Sequence, residues 1–183
     1  MMKNLYLFII FTILTTQSLA STKKDIIKNL QKTNNLSFNF EQNINGKIQN
    51  GKCIIKYPKK IFCQYKLKNK KILVSDGKLL AIKTITSYYL YPIKKTPLNL
   101  ILDKDFILNK INSLNDRIID DKFINFTFKE NDNEINLFFD KNTHNLIGWQ
   151  TVDIYQNISI TYLSSIVRNQ KLKENLFTIP KQN

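Results

Sequence analysis

The stretch from Gly46 to Lys83, GKIQNGKCIIKYPKKIFCQYKLKNKKILVSDGKLLAIK, restricts the fold more than any other part of the chain. Short runs rich in Ile, Val, Tyr and Phe are broken by Gly-Lys, Pro-Lys-Lys and Asp-Gly. Apolar runs of strand length bounded by such breakers are the signature of an antiparallel meander. Because side chains alternate with period two, Cys53, Ile55 and Tyr57 share one face, and Ile61, Cys63 and Tyr65 share one face of the next strand. A turn centred on Pro58-Lys59 then sets Cys53 opposite Cys63. These are the only cysteines. They either form a cross-strand disulfide, which an oxidising compartment permits, or remain buried thiols acting as small apolar residues. Both readings stand at this point.

The same alternation recurs along the chain. Leu36, Phe38, Phe40 and Gln42 alternate with Ser37, Asn39 and Glu41, and residues 88–91 add a strand that Pro92 stops. Later strands are expected over 122–129 (Ile124, Phe126 and Phe128 on one face), 134–140 (Ile135, Leu137, Phe139), 145–153 (Ile147, Trp149, Thr151) and 156–163 (Ile158, Ile160, Tyr162). The last two are joined by a tight turn near 153–155. Helical periodicity appears in two places. Residues 22–34 carry an apolar stripe, Ile26, Ile27 and Leu30, with Ser21 or Thr22 as cap. Thr96-Pro97 reads as a helix start ahead of Leu98, Ile101 and Leu102, and a second short helix is expected over 104–112. A mainly β (α+β) chain with roughly nine to eleven antiparallel strands tends to curl, and too few helices to cover a flat sheet favours a barrel or half-barrel. On residue types alone its inward aromatics are an ordinary filled core.

Residues 1–20 read as a cleaved export signal: Lys3, an apolar run over 5–14 and a small-residue site at Ser18-Leu19-Ala20. Ten apolar-rich residues fall short of the ~20 that span a bilayer. The remaining chain, 21–183, is expected to be a single domain. Lys and Arg exceed Asp and Glu by 14. Nucleic acid is an unfavourable explanation, since arginine, the bidentate reader of bases and phosphates, occurs only at Arg117 and Arg168. Catalytic motifs are not evident. His144 is the only histidine and has no Gly-x-Ser-x-Gly nucleophile motif beside it, no second metal ligand lies at useful spacing, and no Gly-rich phosphate loop occurs. The chain reads as a binding protein without cofactor or metal.

In order and spacing, four segments resemble the LolA-type periplasmic carriers of outer-membrane lipoproteins. They are Leu36-Ser-Phe-Asn-Phe40-Glu-Gln42, Gly51-Lys-Cys-Ile-Ile-Lys-Tyr-Pro58-Lys-Lys-Ile61, Ile72-Leu-Val-Ser75-Asp76-Gly77-Lys78 and Thr96-Pro97-Leu-Asn-Leu100, with Phe177-Thr-Ile-Pro180 similar to the family's terminal Phe-x-x-Pro. The resemblance implies an incomplete antiparallel β-barrel with an N-terminal helix and a short helical lid over an apolar cavity that receives acyl chains. It implies Leu30, Phe38, Phe40, Ile55, Tyr57, Ile61, Cys63, Leu98, Leu100 and Ile101 as cavity and lid residues. It further implies a periplasmic, monomeric chaperone that accepts lipoproteins from an inner-membrane ABC exporter and passes them to an outer-membrane receptor. A carrier or sensor of phospholipid or glycolipid on the same half-barrel is the alternative, and an envelope interaction domain with a filled core is a third reading. Where the family has an arginine that ties the lid shut, before the proline of the meander turn, this chain has Tyr57. Phe40→Asp or Ile101→Asp is expected to abolish cargo binding, whereas Lys104→Ala is not.

Overall fold

The structure is a computed structural model describing residues 18–130, 133–152 and 157–182, with side chains from Thr22 onward. The expected export signal lies outside these residues up to 17, as does the tight turn near 153–155. The described strands are β1 (Asn35–Ile44), β2 (Lys47–Lys56), β3 (Lys60–Tyr65), β4 (Ile72–Asp76), β5 (Leu79–Lys83), β6 (Tyr88–Pro92), β7 (Arg117–Ile119), β8 (Phe123–Glu130), β9 (Asn133–Asp140), β10 (Leu146–Val152) and β11 (Ile158–Arg168). They form one antiparallel sheet in the order β6-β5-β4-β3-β2-β1-β11-β10-β9-β8-β7. Pairing of β1 with β11 joins two meanders along a central seam. Because β6 and β7 are the two ends, the sheet is not closed into a barrel.

The connection between those ends is helical: a 3-10 turn (Ile93–Lys95), α2 (Leu98–Ile101) and α3 (Lys104–Ser113), with α1 (Ser18–Gln31) preceding the sheet. A segment joining the two edges of a curled sheet must cross its opening, and this one does so with its apolar side inward. Ile101, Leu102, Ile107 and Ile111 are fully buried and join Ile26 and Leu30 of α1 over the concave face. That face supplies Phe38, Phe40, Ile55, Ile61, Phe126 and Leu137 to the same core. Burial of such side chains contributes on the order of 2 kcal/mol each.

The alternation in β2 and β3 is as expected, with Cys53 opposite Cys63 and Ile55 opposite Ile61. Four local expectations are corrected. The first helix begins at Ser18 and ends at Gln31, so Thr22 lies inside it. Its end is fixed from outside: Asn169 accepts from the Asn34 N–H at 2.7 Å and donates to the Lys32 carbonyl at 2.8 Å. In β10, pairing shifts between Leu146 and Gly148, so Leu146 faces Phe139 and is buried with Trp149, on the same side rather than the opposite one. In β11 the apolar set Ile158, Ile160 and Tyr162 faces outward, and Thr161 and Leu163 are the buried residues. The inner face there is more polar than a half-buried strand usually is, and the alternation could not tell in from out. Finally, Thr96 is extended and Pro97 helical (φ −57°, ψ −25°), but the Thr96 hydroxyl donates back to Ile93 instead of capping the helix.

Two features were absent from the sequence reading. The three-residue β7 has too little pattern to register. The C-terminal segment, including Phe177 and Ile179, runs alongside Lys56, Lys60 and Asp76, and its Lys181 carbonyl accepts from Lys83 at 2.8 Å. It therefore crosses the convex side of β2–β5, where the register places Val74 and Ala81, both buried.

Candidate functional site

A cavity of about 130 Å³ lies on the concave side where α2 meets β1, β2, β3 and β11. One wall is apolar: Phe40, Ile61, Leu73, Leu98, Trp149 and the bonded Cys53–Cys63 pair. The rest of the lining is more polar, and its polar groups bond to one another. Gln42 donates to Ser159 and Thr161 at 3.2 and 3.3 Å and accepts from the Tyr65 hydroxyl at 3.4 Å. Burial pushes the Tyr65 hydroxyl up to about 12, so it remains a donor throughout the physiological range. Phe40 meets the Tyr65 ring edge-on, with centroids 4.9 Å apart.

Phe40 can lie there because its partner across the ladder is Gly51. A Cβ at residue 51 would sit 2.2 Å from the Gln64 carbonyl oxygen and 2.6 Å from the Phe40 ring. Glycine inside a strand signals such a close approach. Sequence reasoning could have used that signal for Gly51, but it took the residue only as part of a motif.

Of the ten positions singled out from sequence, Phe40, Ile61, Cys63 and Leu98 line this cavity. Leu30, Phe38, Ile55, Leu100 and Ile101 are buried in the adjoining core. Tyr57 sits beyond them, at the β2–β3 turn. Its hydroxyl is buried with no hydrogen-bond partner among the described residues, and burial raises its pKa well above the ordinary tyrosine range. Gln42, Tyr65, Leu73, Trp149 and Thr161 line the cavity without having been singled out. Gln42, Tyr65 and Leu73 belong to the same local meander as Phe40 and Cys63, whereas Trp149 and Thr161 reach the cavity only because β1 pairs with β11.

The helical cover is fastened at its ends by lysines. α1 and α3 share reciprocal contacts: Lys104, at the start of α3, donates to the Gln31 and Thr33 carbonyls at the end of α1, at 3.2 and 3.1 Å. Lys23, in α1, donates to Asn112 and Leu114 at the end of α3, at 3.1 and 2.7 Å. Each lysine thus satisfies carbonyls left open by the other helix and places positive charge at its negative end. A second tie joins α3 to the β2–β3 turn. The Lys59 N–H donates to the Leu102 carbonyl at 2.8 Å, and the Lys59 ammonium pairs with Asp103 at 3.0 Å. Asp103 also caps α3 by accepting from the Phe106 N–H. Lys104 is therefore part of the fastening and lies 6.0 Å from the centre of the Tyr57 ring.

Among solved structures, the fold is similar to that of an uncharacterized conserved protein from Thermus thermophilus, with 7% identity and a TM-score of 0.50, over 88% of this chain and 94% of that one. It is also similar to a LolA superfamily protein from Nitrosomonas europaea, at 8% identity and TM-score 0.48 over 88% and 98% of the two chains. A chain in the Pseudomonas aeruginosa MucA/MucB complex is similar at 11% identity and TM-score 0.49, over 88% and 61%. No curated protein matches the chain. No helix among the described residues is long and apolar enough to cross a membrane. The family described as outer membrane lipoprotein carrier protein LolA matches residues 31–180, most of the length. The chain therefore belongs to the LolA family, whose members are periplasmic binding proteins of the carrier type.

Proposed function

We propose that this protein is a periplasmic chaperone that binds the acyl chains of lipoproteins released by an inner-membrane ABC exporter and delivers them to an outer-membrane receptor. In this reading residues 1–20 are removed on export and 21–183 form the carrier domain. The observation that carries the proposal is the pairing of a concave apolar face with a cover held by polar ties. A 14-carbon chain exposed to water costs on the order of 10 kcal/mol, from ~0.8 kcal/mol per CH₂. A carrier must recover that cost and still give the chain up. The cavity of about 130 Å³ is well below the ~300–1,000 Å³ of ordinary ligand pockets. The described state is thus closed, and loading requires the 93–113 segment to move as a lid. Breaking the Lys104, Lys23 and Lys59–Asp103 contacts offsets part of the binding energy and leaves cargo releasable.

In the open state Leu98, Leu100 and Ile101 would present the lid's apolar side, with Phe38, Phe40, Ile55, Ile61 and Cys63 on the sheet, Leu30 above and Tyr57 at the hinge end. The Gln42, Ser159 and Thr161 wall suits the ester and amide groups at the head of a lipidated cysteine. It equally suits a phospholipid or glycolipid head, which supports a second reading as a carrier or sensor of those amphiphiles. Incubating the purified protein with spheroplasts carrying newly made lipoproteins decides between them. A soluble one-to-one lipoprotein complex is expected, whereas phospholipid or glycolipid alone in the supernatant would replace the lipoprotein reading.

A further inference from the structure

The positive charge is unevenly placed. Residues 42–102 carry thirteen lysines against one carboxylate, Asp76, whereas residues 103–183 carry ten basic and eleven acidic side chains. The first group is essentially β2 to β6 with their turns, so most of the excess lies on one half of the sheet. A uniform compositional bias toward lysine would have charged both halves alike.

That half ends at β6, which among the described residues has a strand partner on one side only. Tyr89, Leu90 and Tyr91 are 52, 45 and 43% exposed. Their register puts Tyr89 and Tyr91, opposite Ile82 and Leu80, on the concave side and Leu90, opposite Ala81, on the convex side. The two tyrosine rings stack with centroids 6.4 Å apart. Apolar groups therefore protrude from both faces of an edge strand with no charged residue of its own. Ile85, 58% exposed, extends the strip into the β5–β6 turn. The Ile85 N–H donates to the Asn69 carbonyl at 2.9 Å, setting that turn against the exposed Lys68 and Lys70. At the other end the Ile93 N–H donates to the Lys78 carbonyl at 3.0 Å, drawing exposed Lys78 toward exposed Lys94 and Lys95.

We propose that the β6 edge is a docking site for an anionic phospholipid surface. Tyrosine and aliphatic side chains enter the boundary between head groups and acyl chains, and ammonium groups on either flank meet the phosphates. Charge complementarity alone would also admit an acidic protein, but Tyr89 and Leu90 point to different sides of the edge. A fluid interface accommodates that arrangement without a dedicated pocket for each. Pro97 and Leu98 of the cavity lining follow β6 within a few residues, so docking brings the cavity to the membrane. The proposal does not depend on the cargo reading, because it requires nothing in the cavity.

The test is flotation of the protein, purified from the periplasmic fraction of expressing cells with its N-terminus read by mass. Vesicles of phosphatidylglycerol and phosphatidylethanolamine are compared with vesicles of phosphatidylcholine. Binding to the anionic vesicles only, weakening as salt is raised, is expected. Lys94→Glu/Lys95→Glu and Lys68→Glu/Lys70→Glu should each lower it by more than tenfold, at about fivefold or more per lysine. Tyr89→Ser/Leu90→Ser/Tyr91→Ser should lower it with every lysine in place. All three variants should keep the wild-type denaturation midpoint and the wild-type affinity for a fluorescent fatty acid, since none of these residues lines the cavity. Equal flotation on phosphatidylcholine, unchanged flotation of the Tyr-Leu variant, or capture of an acidic peptide without any vesicle binding would each overturn the proposal. Loss of fatty-acid binding by the wild-type protein would instead overturn the carrier reading and leave the docking result standing.

Discussion

Replacing Lys104 with methionine, which keeps most of the aliphatic stem and removes the ammonium, isolates the fastening of the cover. The lost contacts are two charge-assisted hydrogen bonds to the Gln31 and Thr33 carbonyls at and just past the end of α1, at 3.2 and 3.1 Å. Both lie at a partly exposed helix end, where such an interaction contributes about 1 kcal/mol. That corresponds to roughly fivefold in the closed-to-open equilibrium. Lys23 makes the equivalent contacts at the opposite end of the helix pair. Distant sites add, so Lys23→Met/Lys104→Met should shift the equilibrium by about 2 kcal/mol, roughly thirtyfold. If acyl chains enter only the open state, apparent affinity rises by the same factors. Titration with a fluorescent fatty acid measures this directly, with the denaturation midpoint followed in parallel. Unchanged or weaker binding by Lys104→Met, in a protein that still unfolds cooperatively, would refute the idea that these lysines set the lid equilibrium.

Phe40→Asp places a carboxylate against the Tyr65 ring and the disulfide, and Ile101→Asp places one in the lid core; each should abolish lipoprotein retention in the spheroplast assay, and equal retention would refute the cavity assignment. Gly51→Ala puts a methyl carbon 2.2 Å from the Gln64 carbonyl oxygen. It should therefore destabilise the fold by about 1–3 kcal/mol, read as a lower urea midpoint with unchanged slope. Asp140 accepts N–H groups of Thr143 and Asn142, which hold its carboxyl below the usual 3.8 despite opposing burial. Asp76 is pushed up by partial burial, but N–H donors from Leu79 and Lys78 outweigh this and leave it also below 3.8. Carboxylates depressed in the folded state stabilise it fully above 3.8, and that contribution is lost as pH falls through the lowered values. The urea midpoint should decline below about pH 4, and Asp76→Asn/Asp140→Asn should flatten the decline; an identical acid profile would count against both carboxylates.

Much of the fold was legible because it is local. Period-two alternation placed β1, β2, β3, β8 and β9 with the right faces inward, and the turn at Pro58-Lys59 fixed Cys53 opposite Cys63. The helix over 104–112 was found within one residue, because Ile107 and Ile111 repeat at helical spacing. Legibility failed where the less apolar face of a strand is the one that turns inward. In β11, Ile158, Ile160 and Tyr162 form a better stripe than Ser159, Thr161 and Leu163, yet the second set faces the core. In β10 only the start departs from the alternation, because a one-residue register shift between Leu146 and Gly148 puts Leu146 on the side of Trp149 and Thr151.

The site divides in the same way. Phe40, Ile61, Cys63 and Leu98 were read from the chain, while Gln42 and Thr161 were brought together only through the pairing of β1 with β11 across more than a hundred residues. The reciprocal lysine contacts are likewise invisible in sequence. Lys23 and Lys104 look like any surface lysine until two antiparallel helices set each against the other's free carbonyls. By itself, then, the sequence determined what short-range chemistry decides: strand and helix identity, most inward faces, and the excess of lysine in its first half. Only the tertiary structure decided which strands meet, which face of β11 turns inward, and how the cover is tied. Those outcomes depend on which distant surfaces bury together and on backbone groups left open at helix ends, and no window of neighbouring residues contains either.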